Sequence, residues 1–79
     1  MSLMKRYVED VQDVQEAALR AAQQSTSRAR FAAITETFAR CGMHARKYHH
    51  PQAVAQTLVR QAVDTYHAAR RSAALEAAA

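Results

Sequence analysis

One glycine, one proline, one cysteine and no tryptophan occur in 79 residues. Each scarcity excludes something. A lone cysteine cannot build an internal disulfide framework. One glycine provides no glycine-rich loop to cradle a phosphate, and one proline provides no proline-rich linker. No run of 18 apolar residues is available to cross a membrane. No segment has the apolar centre of a secretory signal, so a cytoplasmic location is expected. Large apolar side chains are scarce as well. Apolar residues make up 49% of the chain, but 19 of them are alanine. Burying a large apolar side chain contributes about 1.5–3 kcal/mol, while ordering a residue costs roughly 1.5 kcal/mol. An isolated chain of this size is therefore expected to be marginal, and a homodimer, which would double its core, is the expected state.

Most of the sequence consists of strong helix formers, chiefly Ala, Gln, Arg, Glu and Leu. No period-two alternation is long enough for a strand. Met4, Tyr7, Val8, Val11, Val14, Ala18, Ala21 and Ala22 recur at three- and four-residue steps, which predicts a helix over about residues 3–24. Phe31, Ile34, Phe38 and Cys41 form a second stripe. On one unbroken helix it would lie roughly 180° from Val11 and Val14. A turn near residues 25–27 resolves this, and its Ser-Thr-Ser sequence offers N-caps. The alternative is one long helix with different neighbours on its two sides. The second helix is then expected over about residues 28–41, with Gly42 as the left-handed residue after it. A third helix should start at Pro51, a residue suited to a first helical position. It should run to about residue 75 behind Val54, Ala55, Leu58, Val59, Ala62, Tyr66 and Ala69. The expected fold is all-α: a single domain over residues 1–79, with a long N-terminal helix, a helical hairpin and a basic loop over residues 42–50.

The net charge of +4 is unevenly spread. Residues 1–17 carry −2, residues 18–60 carry +6, and residues 61–79 balance. The basic middle is an electrostatic footprint for an acidic protein surface or for phosphate. The candidate contact residues are Arg28, Arg30, Arg40, Arg46, Lys47, Tyr48, His49 and His50. Tyr48, expected to be exposed in the loop, is the best single anchor among them. A solvated basic face explains the same charge without a ligand, since arginine is common in proteins of GC-rich bacteria. The acids of the first helix, Glu9, Asp13 and Glu16, are expected to form a solvated face. They could also pair with the basic middle of a second copy.

Little here points to chemistry. Cys41, His44, His49 and His50 form a C-x2-H-x4-H-H run with zinc-ligand atom types. Adjacent histidines rarely reach one tetrahedral ion together, and Arg40, Arg46 and Lys47 would repel a cation, so neither a metal nor a cofactor is expected. Cys41 belongs in the core and in the last turn of its helix, where the dipole disfavours a thiolate. With one loop there is scant material for a substrate pocket, so no catalytic residue and no small-molecule substrate are expected. Helix-turn-helix, zinc-finger, basic-zipper and RNA-module signatures are all missing. The expectation is a non-enzymatic interaction module of adaptor, regulator or inhibitor type. It would act through helix faces and a basic loop, on an acidic protein surface or on another copy of itself. The alternative is a nucleic-acid-binding protein using the Arg/Lys-rich middle.

Overall fold

Three helices form where the helix formers run, in a computed structural model that describes residues 3–78: α1 (Leu3–Gln23), α2 (Ser27–Ala45) and α3 (Pro51–Ala78). The described residues contain no strand. The chain does turn between α1 and α2. Thr26 takes an extended conformation, with φ −109° and ψ 150°, and its Oγ1 accepts the Ala29 N–H at 3.2 Å. That cap satisfies one of the orphan donors at the start of α2. Neighbouring helices supply donors to the end of α1. Arg30 of α2 donates to the Gln24 carbonyl at 3.4 Å, and Arg70 of α3 donates to the Ala22 carbonyl at 3.4 Å. Cations are favoured there by the helix dipole.

Gly42 does not end the second helix. No glycine has a positive φ, and α2 runs through Gly42 to Ala45, four residues past the expected end. Glycine within a helix costs about 1 kcal/mol relative to alanine. Burial of His44 and Ala45 in the extra turn offsets that cost. The connection is correspondingly short. Lys47 and Tyr48 donate their N–H groups to the His44 and Ala45 carbonyls, and α3 starts at Pro51 as expected. It continues to Ala78 rather than stopping near residue 75.

The centre of the core is Val14 and Ala18 from α1, Cys41 from α2, and Leu58 and Ala62 from α3. Val11, Val54, Val59 and Tyr66 pack around it. Ala17, Ala21 and Ala22 are also buried, giving α1 a face of small side chains that other helices can approach closely. As a result α1 packs more extensively against α2 and against α3 than those two pack against each other. The molecule is elongated, 44 × 23 × 18 Å.

The expected stripe on α2 is corrected. Of its members only Cys41 is buried; Phe31 is 74% exposed and Phe38 is 47% exposed. The buried row is instead Thr37, Cys41, His44 and Ala45. The outer part of the α1 stripe is also open, since Met4 and Val8 are exposed.

Leu58 is fully buried, whereas Leu75 is 73% exposed. Leu58→Ala should therefore cost about 2–5 kcal/mol in a denaturant titration. That is a large part of the ~4–12 kcal/mol typical of a domain this long. Leu75→Ala should change stability by less than about 0.5 kcal/mol.

Candidate functional site

Asp10 and Asp13 are three residues apart on α1 and so share a face. Arg40 and His44 are four apart on α2 and share another. These two faces meet. His44 lies between the two carboxylates, with Nε2 2.7 Å from Asp13 Oδ2 and Nδ1 3.2 Å from Asp10 Oδ1. An ionised carboxylate only accepts, so Nε2 is the donor to Asp13. Nδ1 is close to Asp10 but off the hydrogen-bonding direction, so that contact is electrostatic and Nδ1 has no hydrogen-bond partner. Arg40 donates from Nη1 to Asp13 Oδ1 at 2.7 Å, and from Nη2 to Glu36 Oε1 at 2.9 Å. The Tyr48 hydroxyl donates to Asp10 Oδ2. Lys47 Nζ lies 3.8 Å from Asp10 Oδ1. The Tyr7 and Tyr48 rings pack edge to face, with centroids 5.9 Å apart.

Asp10 and His44 are buried, at 9% and 8% exposure, so this clasp is partly removed from water. The hydrogen bond from His44 holds the Asp13 carboxyl below the usual carboxylate range; burial opposes this and the Arg40 charge assists it. Burial pushes the Tyr48 phenol up to about 12, and donation to the Asp10 carboxylate adds to the effect by favouring the neutral phenol. The hydrogen bond to Glu36, followed by the Asp13 charge, holds the Arg40 guanidinium above its ordinary value. Burial also raises the Cys41 thiol, which keeps it protonated and unreactive near neutral pH.

The eight candidate contact residues thus divide. Arg40, Lys47 and Tyr48 turn inward onto the acids of α1, and Arg30 bonds to the end of α1. Tyr48 is half-buried rather than exposed, because its hydroxyl reaches Asp10. Arg28 and Arg46 are exposed and form no ion pair among the described residues. His49 and His50 are exposed and lie edge to face, with centroids 4.9 Å apart. The C-x2-H-x4-H-H run does not converge on one point: Cys41 is in the core and His44 is with the aspartates. Among the described residues no group of three or more His, Cys, Asp or Glu is arranged to hold a metal ion. Asp10, Asp13 and His44 were absent from the expected contact set. Matching i, i+3 acids with an i, i+4 Arg/His pair was the available signal. Of the acids expected to form a solvated face, Glu9 and Glu16 are exposed, whereas Asp13 is half-buried and pairs with Arg40 and His44 of the same chain.

A second feature lies where α2 and α3 diverge. Ile34 and Phe38 on α2 face Val63, Tyr66 and His67 on α3 across a groove of about 170 Å³. Ala18, Ala21 and Ala62 form its base. Among the described residues no helix is long and apolar enough to cross a membrane. Compared with protein-family models, curated proteins and solved structures, the chain matches none of them.

Two of the shifted groups, Asp13 and Tyr48, define opposite limits of pH stability. Asp13 is depressed in the fold, so its stabilisation is complete above the unfolded value near 4 and is lost as pH falls through the lower folded value. Chemical denaturation between pH 5 and 2 should show an acid loss that is smaller in Asp13→Asn. Tyr48 is raised, so its contribution is complete below the unfolded value of 10.0 and is lost as pH rises through about 12. Ultraviolet titration of the phenolates should show a late component near pH 12 that disappears in Tyr48→Phe.

Proposed function

We propose that this protein is a non-enzymatic interaction module whose contact surface is the apolar seam between α2 and α3. Both phenylalanines of the chain support this assignment. Phe38 lines an apolar groove and is 47% exposed, and Phe31, seven residues before it on α2, is exposed as well, while alanine makes up much of the buried interior. Burying phenylalanine would have stabilised a marginal fold. Large apolar side chains held in water beside a groove mark a surface used for recognition. A cytoplasmic setting is consistent with the free, buried Cys41 thiol.

Nucleic-acid binding is the weaker assignment because the basic stretch is partly spent. Arg40 and Lys47 face carboxylates, which reduces the charge available for phosphate. The cluster of Tyr48, Asp10, His44 and Asp13 does not favour catalysis either. Its phenol is held neutral and its histidine is enclosed. Its physical effect is to hold α2 and the connection against α1.

A two-hybrid screen run in parallel with the Phe31→Ser/Phe38→Ser variant tests this. The double variant should stay folded, with its unfolding free energy lowered by about 1 kcal/mol because Phe38 is partly covered, and should lose the partners that the native chain selects. Partners retained by the double variant would contradict the assignment. So would tight binding of labelled duplex DNA that weakens steeply between about 50 and 200 mM salt, the signature of phosphate contacts.

A further inference from the structure

Resting on that interaction surface, we propose that its occupant is an acidic amphipathic helix lying along the seam, with its apolar side on Phe38 and Val63 and its carboxylates on Arg28 and Arg46. The register of α2 supports this. Arg28 and Arg46 are 18 residues apart, which is five full turns, so they share one side of the helix across about 27 Å. Phe31 and Phe38 lie between them along the axis, rotated roughly 60° and 80° around it to the side on which Phe38 lines the groove. The four residues form an apolar strip with a guanidinium at each end. Both arginines are exposed and have no ion pair among the described residues. On the opposite wall, Arg71 follows His67 by four residues and is also exposed.

Among the described residues no acid pairs with Arg28 or Arg46. Glu36 is held by Arg40 on another side of α2, and Asp10 and Asp13 face the clasp. On α3, Asp64 precedes His67 by three residues and Arg71 by seven, so it shares their face and offsets part of the charge there. The rim is therefore basic chiefly on its α2 side, above an apolar floor, the complement of a helix that is apolar on one side and acidic on its flank.

A second copy meets this surface less well. In a two-fold dimer through the seam, Arg28, Arg46 and Arg71 of both copies would crowd one interface, and like charges brought together there oppose association. A nucleic acid would satisfy the arginines, but its phosphates gain nothing from the walls of Ile34 and Val63.

A display library of 18-residue peptides tests the proposal with a defined probe. Apolar residues are fixed at helical spacing, and the flanking positions are varied among Glu, Lys, Gln and Ser. Selection is made on the native chain, with removal of peptides that also bind Phe38→Ser or, in a second arm, Phe31→Ser. Circular dichroism establishes that each variant is folded. The expected winners carry Glu on the flanks. Their affinity should fall roughly tenfold on Arg28→Glu/Arg46→Glu, and Lys-flanked versions should gain on that variant. Neutral or basic winners, or indifference to the charge reversal, would overturn the acidic occupant while leaving the interaction surface intact. Failure of any peptide to distinguish the native chain from both serine variants would overturn the surface as well. A dimer in sedimentation that Phe38→Ser dissociates would assign the seam to a second copy, and binding of the salt-sensitive kind to DNA or RNA would assign it to phosphate. Either result would overturn the acidic helix.

Discussion

A histidine ring set between two aspartates fixes how the second helix meets the first. His44 reaches Asp13 with one nitrogen and faces Asp10 with the other, and both His44 and Asp10 are buried. Buried charge does not tolerate loss of a partner, which typically costs about 3–5 kcal/mol. Replacing such a group wholly by apolar packing can be neutral, so its effect is more on orientation than on net stability. Here that orientation has visible consequences. Turning Arg40 and His44 toward α1 makes Thr37, Cys41 and His44 the buried row of α2. It carries Phe31 and Phe38 outward. It also extends α2 past Gly42, because His44 lies two residues beyond the glycine.

Alanine provides the second constraint. The inner face of α1 is mostly alanine, which allows α2 and α3 to approach it closely. There is too little side-chain volume to close the seam between α2 and α3 over its whole length. The groove is therefore a consequence of the same composition that makes the bundle narrow. Phe38 flanks this opening instead of filling the core, and Arg28 and Arg46, which form no ion pair among the described residues, lie on the same helix.

Much of this fold was legible in the residues. The inner stripes of α1 and α3 give the correct buried faces, because Val14, Ala18, Leu58 and Ala62 follow plain helical spacing. The turn at residues 25–27 was legible through the conflict between two stripes and the capping residues between them. The end of α2 was not. Local preference points to a stop at Gly42, whereas the burial that carries the helix onward comes from α1, which is distant in sequence. The clasp was hidden for a related reason. Aspartates on an early helical turn are usually solvated, and only the packing of α2 places Arg40, His44 and Tyr48 against them. The same blindness made Phe31 and Phe38 look like core. Hydrophobic spacing identifies a stripe, but it does not reveal that an ion cluster has turned the helix away from it.

The dependence of this architecture on the clasp is most directly measured by a double-mutant cycle on stability between Asp13 and His44. Chemical denaturation of Asp13→Ala, His44→Ala and the double variant gives the coupling between the two side chains. A hydrogen-bonded pair whose histidine is buried predicts a coupling of about 1 kcal/mol or more. Additive losses, to within about 0.3–0.5 kcal/mol, would contradict a fold in which this contact orients the second helix.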